Sequence, residues 1–259
     1  MSKKTFVKIL SVVLALVLGM TALWACGGEK EDENVLVMAT NASFPPYEYK
    51  EGDSFAGIDV EIATLIAEKL GMTLKIEDVE FGSIIGGVQS GKFDMGMAGM
   101  TVTDERLEMV NFSSTYATGV QVVIVAEGST ITSLDDLKDD GSMKYGVQQD
   151  TTGDIYASDT PEKGGYGSDN VIRYKTGAEA VQALKAGKVD AVIIDNEPAK
   201  SFVAANEGLR ILDAEWAVED YAICVAKDNT DLLDKINTAL AELEAEGKVQ
   251  AIIDKYIKA

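Results

Sequence analysis

The chain has 259 residues, enough for one large domain or two of about 100–150 residues, and with 46% hydrophobic and 25% charged residues most of it should be globular. A formal net charge of −20 argues against nucleic-acid binding, because phosphate recognition needs basic patches. The absence of histidine excludes histidine-based triads, histidine general bases and the commonest zinc ligands.

Residues 1–26, MSKKTFVKILSVVLALVLGMTALWAC, run from a basic start (Lys3, Lys4, Lys8) through an apolar stretch to Ala25 and Cys26. This layout predicts a secretory signal over 1–25, excluded from the fold. An uncleaved membrane anchor is the alternative, since 9–25 is almost long enough to span a bilayer. Residues 23–26, LWAC, resemble a bacterial lipobox, in which the cysteine is lipidated and becomes the new N-terminus. Trp24 departs from that pattern, where a small residue is usual. Cys26 is therefore the expected lipidation site, and both readings put the remaining chain outside the cytoplasmic membrane. Residues 27–34, GGEKEDEN, lack apolar periodicity and read as a flexible tether.

Residues 35–40, VLVMAT, predict a buried strand. Residues 41–55, with paired prolines, predict a loop. In 57–72 the apolar Val60, Ile62, Ala63, Ile66, Ala67 and Leu70 share one helical face, and Gly71 should end the helix. A strand (LKIEDV), a short helix closing at Gly91, a strand over 93–100 and a helix capped by Thr103 follow. The order β-α-β-α-β indicates an α/β unit with a mostly parallel sheet. Beyond it come a long apolar strand (119–129), a short helix in SLDDLKDD, and alternating strands and helices as far as LRILDA. Residues 216–228, WAVEDYAICVAKD, read as extended, with Cys224 a buried core thiol. Two helices split at Gly247 end the chain. Cys26 and Cys224 form neither a metal-ligand pattern nor a disulfide framework.

The two halves echo one another. VQSGKFDMGMAGM (88–100) and LKAGKVDAVIID (184–195) both run helix, Gly-Lys, any residue, Asp, then an apolar strand. Both strand C-termini would deliver residues to a sheet edge, where α/β folds bind ligands. Arg106 stands out beside the first. It lies in the opening turn of the Thr103 helix, where a cation opposes the macrodipole by about 0.3–1 kcal/mol. A surface pairing within DERLE and a binding role are both open on the residues alone.

The segments ATNASFPPYEY, GIDVEIATLIAEKLG, AGMTVTDERLEMVNFS and GKVDAVIIDNEPA match, in order and spacing, the extracellular solute-binding proteins of polar amino acid ABC transporters, bacterial family 3. The chain from Val35 to Ile257 resembles that family, which includes glutamine-, histidine- and lysine/arginine/ornithine-binding proteins. The resemblance implies a periplasmic-binding-protein-like type II fold: two α/β lobes joined by two hinge strands. Lobe 1 would be 35–118 plus 221–259, and lobe 2 would be 119–220. The crossings would be ATGVQ and EDYAI. It also implies a monomer without cofactor or metal, a free amino acid as ligand, and a membrane permease as partner.

A buried amino acid needs partners for both its carboxylate and its ammonium. The resemblance assigns the carboxylate to Arg106, Thr101, Thr151 and Thr152, and the ammonium to Asp195 and Gly99. A guanidinium fork suits the first role. The side chain would meet Phe44, Phe81, Asn41 and Gln148. Asn41 stands where many relatives carry aspartate, and Ile194 replaces a polar residue of the glutamine binder. The pocket thus reads as neutral, favouring a polar uncharged ligand, with Glu48 a possible cation contact. The family usually has glycine where Asp150 stands. A dehydratase on the same fold, recruiting Asp150, Glu197 or Glu48, and a sensor lipoprotein are the alternative functions.

Overall fold

The apolar runs and amphipathic stretches become strands and helices in a computed structural model that describes residues 34–258. The expected signal segment, Cys26 and the tether as far as residue 33 lie outside the described residues. In chain order the elements are β1 (Val35–Thr40), β2 (Ser43–Phe44), β3 (Glu48–Glu51), β4 (Ser54–Ala56), α1 (Ile58–Leu70), β5 (Thr73–Asp78), α2 (Ile84–Gln89), β6 (Met95–Gly96), α3 (Asp104–Met109) and β7 (Val110–Phe112). They continue with β8 (Ala117–Ala126), β9 (Tyr145–Gln148), α4 (Thr152–Ser158), β10 (Val171–Tyr174), α5 (Gly177–Lys185), β11 (Ala191–Asp195) and α6 (Asn196–Ala205). The last are β12 (Leu209–Ile211), β13 (Ala217–Tyr221), β14 (Cys224–Ala226), α7 (Thr230–Ala245) and α8 (Lys248–Tyr256).

Two sheets carry the two lobes. The first has the order β5-β1-β6-β14-β7, with β1 and β6 parallel and Met38 opposite Met95. The second has the order β10-β9-β11-β8-β12, and β13 also pairs with β8. Strands β9, β10 and β11 are parallel, as the αβ alternation requires, while β8 is antiparallel to β11. The chain passes between the sheets along β8 and β13. These run antiparallel, with Ala117 opposite Tyr221, Gly119 opposite Glu219 and Gln121 opposite Ala217.

Helix α1 shows how pattern becomes packing. Ile58, Ile62, Ala63, Ile66 and Ala67 are buried on one face, against Leu36, Met38 and Met95 in the core. Gly71 then takes the left-handed conformation (φ 70°), and its N–H donates to Glu68 O at 3.0 Å while Met72 N–H donates to Ala67 O at 2.8 Å. Gly247 (φ 71°) separates α7 from α8 as expected.

Four local expectations change. Residues 41–55 are not a plain loop but contain the antiparallel ribbon β2-β3-β4, whose strands are too short to show a period. The strand expected over 93–100 shrinks to Met95–Gly96, since Gly99 turns to φ 50°. SLDDLKDD gives only a single 3-10 turn, Leu134–Asp136. Residues 216–228 split between the two sheets, because Ala222 N–H donates to Met100 O (3.1 Å) and Ile223 N–H to Ser113 Oγ (3.0 Å). Ile66, fully buried in the core, should lose about 2–5 kcal/mol of stability on truncation to alanine. Urea unfolding of Ile66→Ala checks this as a lowered midpoint with an unchanged slope.

Candidate functional site

Every residue assigned to the ligand's carboxylate, ammonium or side chain lines one pocket between the lobes, whereas Ile194, expected to bear on its polarity, is buried in the hydrophobic core and does not line it. The first lobe contributes Asn41, Phe44, Phe81, Gly99, Thr101 and Arg106. The second contributes Gln148, Thr151, Thr152 and Asp195. Glu48 and Ala98 complete the lining. Three strand ends converge here. Asn41 follows β1, Gly99 and Thr101 follow β6, and Asp195 closes β11. The edge expected from the two echoing segments is therefore the edge that meets the pocket.

Arg106 is anchored from both lobes. Thr103 caps α3 by accepting the Arg106 backbone N–H (3.2 Å), which fixes the turn. The guanidinium donates through Nη1 to Thr101 O (2.8 Å) and through Nη2 to Asp150 O (3.1 Å) of the second lobe. Its Cζ lies 5.3 Å from the centre of the Phe81 ring. Phe81 thus supports the arginine as well as lining the pocket. The side chain is only 5% exposed, and among the described residues it has no carboxylate within ion-pair distance. Burial lowers its pKa, opposed chiefly by the charge of Glu219.

Asp195 is the complementary group. It occupies the N-cap position of α6 yet makes no side-chain cap bond, so the simple capping role does not hold. Instead its Oδ2 accepts from Gln121 Nε2 (2.8 Å) and its Oδ1 from the Tyr221 hydroxyl. Burial, and secondarily the charge of Glu219, push its pKa up to about 7. Among the described residues it too lacks an ion-pair partner. Gly99 N–H is occupied by Asp59 Oδ2 (2.8 Å), which leaves the Gly99 carbonyl as the group that could accept from an ammonium.

The remaining lining is neutral or proton-sharing. Gln148 Nε2 donates to Asn41 Oδ1 (2.8 Å), joining the lobes through two amides. Asn41 Nδ2 is held by Val79 O (2.7 Å). Glu48 is almost fully buried, and its Oε2 has no hydrogen-bond partner. Burial and then the neighbouring Asp59 raise its pKa well above the carboxylate range. Asp59 itself rises to about 6 through burial, opposed by bonds from Gly99 and Tyr116. The two hydroxyls expected to face a ligand are engaged elsewhere: Thr101 Oγ1 and Thr152 Oγ1 both donate to Glu219 Oε2. Thr151 caps α4 by accepting from Asp154 N–H and donates to Gln148 O (2.8 Å).

Asp150 has φ 65°, the backbone region that glycine adopts most readily. Its carboxylate points away from the pocket, toward Gly82. Glu197, the other carboxylate set aside for enzyme chemistry, pairs with Lys200 (2.7 Å) outside the pocket lining. Sequence reasoning missed Asp59, Tyr116, Gln121, Glu219 and Tyr221. Two carried a signal: Asp59 sits on the apolar face of its helix, and Gln121 interrupts an apolar strand. Glu219 carried none, since β13 buries Glu219 and exposes Val218.

The whole described region from Leu36 onward matches the model of the bacterial extracellular solute-binding proteins, family 3, over residues 36–259. The chain belongs to that family. It is 34% identical over 242 residues to the arginine-binding extracellular protein ArtP of Bacillus subtilis, covering 91% of this chain and 92% of that one. Among solved structures, an ancestral arginine-binding protein bound to glutamine superposes with a TM-score of 0.79 at 36% identity, covering 87% of this chain and 99% of that one. The ancestral amino acid-binding protein AncCDT-1, a precursor of cyclohexadienyl dehydratase, gives 0.78 at 27% identity, covering 87% and 96%. The fold is the type II periplasmic-binding-protein arrangement shared by these amino-acid-binding proteins, and the family is one of extracellular solute-binding proteins.

Two predictions follow from the geometry. A carboxyl group whose native pKa exceeds its unfolded value of about 3.9 binds more protons when folded, so its contribution to stability is lost as pH rises from about 4 to about 7. Thermal melts of the ligand-free chain should show Asp195→Asn reducing the stability lost between pH 5 and pH 8. The second concerns Gly119, where a Cβ would come within 2.2 Å of the Tyr221 hydroxyl. Gly119→Ala should displace that hydroxyl, which orients the Asp195 carboxylate, and the misoriented acid should weaken amino acid binding about tenfold in titration calorimetry, although Gly119 does not line the pocket.

Proposed function

We propose that this protein is the substrate-binding component of an amino acid ABC importer, closing its lobes on one free L-amino acid and presenting it to the permease. One observation carries the reading. A single pocket holds a buried guanidinium and a buried carboxylate, Arg106 and Asp195, and among the described residues neither has an ion-pair partner. That is the complement of a zwitterion, and each half supplies what the other end of the ligand requires. Arg106 takes the carboxylate together with Thr101, Thr151 and Thr152, which serve through the backbone N–H groups of Thr101 and Thr152 and the helix start at Thr151, since their hydroxyls are committed elsewhere; Asp195 and the Gly99 carbonyl take the ammonium; Phe44 and Phe81 flank the side chain. The lobe boundaries lie at 118/119 and 220/221, on the two crossing strands. A lipid on Cys26 would hold the chain, as a monomer, at the membrane surface where the permease sits.

A polar uncharged side chain fits the neutral Asn41–Gln148 couple. A basic side chain is the second reading, favoured by the unpartnered Glu48 carboxyl oxygen in the lining and by the arginine-binding relative. Both classes present hydrogen-bond donors to Glu48. Binding rather than catalysis is the reading here, and turnover of arogenate or prephenate would replace it with a dehydratase.

Titration calorimetry with the twenty amino acids is the test. L-Glutamine as the tightest ligand supports the uncharged class, and L-arginine the basic one. Arg106→Ala should lose at least thirtyfold in affinity for either, as expected when a buried carboxylate is left unpaired, while circular dichroism reports an intact fold. Unchanged affinity in that variant would remove the reading.

A further inference from the structure

Glu219 has no part in the ligand assignments above. It lies on the crossing strand β13, opposite Gly119 of β8, and is 4% exposed. Its Oε2 accepts from Thr101 Oγ1 (3.1 Å), which follows β6 of the first lobe. It also accepts from Thr152 Oγ1 (3.0 Å), which opens α4 of the second lobe. A third bond comes from Gln121 Nε2 (3.0 Å), on the other crossing strand. The second oxygen, Oε1, is buried and among the described residues accepts no hydrogen bond at normal distance. These three bonds are therefore gathered on one oxygen, at the point where the lobes and both crossings meet.

The two threonine bonds coexist only while the lobes face each other. Swinging either lobe away takes a hydroxyl from a buried carboxylate. Hydrogen bonds to an ionised acceptor are roughly twice as strong as neutral ones. The third bond, from Gln121, stays within the crossing ribbon and does not report on the lobes. From this geometry we infer that Glu219 is a closure latch: a hinge-borne carboxylate that holds the lobes together by collecting one hydroxyl from each, and so sets the balance of open and closed forms before any ligand arrives. It is a positioning residue, acting on the pocket through Thr101 and Thr152. The inference rests on the two-lobe binding reading, but its test needs no ligand.

Single-molecule energy transfer on the full chain in detergent, with dyes at the exposed Asp53 and Lys188, measures lobe separation without ligand. A closed fraction is expected in the unmodified chain. It should fall about tenfold in Glu219→Ala and about threefold in Glu219→Gln, which keeps an acceptor but loses the charge. Thr152→Val should match Glu219→Ala, and the double variant should open no further, because the loss of the Thr152 bond alone already frees the second lobe from the carboxylate. Should the alanine variant fail to fold, the glutamine variant still decides. A chain with no closed fraction, or one whose closed fraction is indifferent to both Glu219 variants, overturns the latch. A fall in melting temperature with lobe separation unchanged would make Glu219 merely structural and also overturn it. Failure of L-glutamine and L-arginine to bind would count against the proposed ligand only.

Discussion

A guanidinium cannot shed its charge to escape burial, and Arg106 is buried with no carboxylate within ion-pair distance among the described residues. The surrounding structure is arranged around that constraint. Thr103 fixes the helical turn, Thr101 and Asp150 supply carbonyl oxygens from opposite lobes, and Phe81 offers its ring face. These are dipoles and a π cloud, not anions. They hold the fork in place while leaving it unneutralised, which is the condition for attracting a ligand carboxylate. The unfavourable position near the start of α3 is therefore a small local penalty inside a larger electrostatic arrangement.

The carboxylates form a graded set around this cation. Burial raises the pKa values of both Glu48 and Asp59, and the charge of Asp59 raises Glu48 further. Asp195 has two neutral donors and titrates near neutrality. Glu219 takes three donors on one oxygen. They differ in the fixed donors each receives, which are set by the element that carries it: β3 for Glu48, α1 for Asp59, the end of β11 for Asp195 and β13 for Glu219. A buried acid with few donors destabilises the empty protein and gains most from a cation. Affinity for an ammonium is in this sense stored in the empty fold.

Membership of the family settles the fold and the general role, because the match spans the described chain. It does not choose the ligand, since sites are varied on a constant scaffold. The choice rests on Asn41, Gln148 and Glu48. The two amides satisfy one another across the cleft, and the acid keeps an oxygen free. Asp150, in a backbone conformation suited to glycine, gives its carbonyl to Arg106 and so ties this loop of the second lobe to the first.

The sequence by itself determined the elements whose signals are local. The apolar face and glycine stop of α1, the Thr103 cap, the split at Gly247 and the strand ending at Asp195 all follow from periodicity and turn chemistry over a few residues. The residues lining the pocket were legible only through motifs, because those motifs fall at strand ends and helix starts. The ribbon at 43–56 and the break at Ala222 were not legible, since their strands are too short for a period to show. The buried network was hidden for a different reason. Glu219, Tyr116 and Tyr221 acquire their roles from partners roughly a hundred residues away in some cases, brought together by the pairing of β8 with β13. Burial of an acid beneath an exposed valine inverts the local pattern, and only the tertiary structure, by placing two lobes on one carboxylate, decided it.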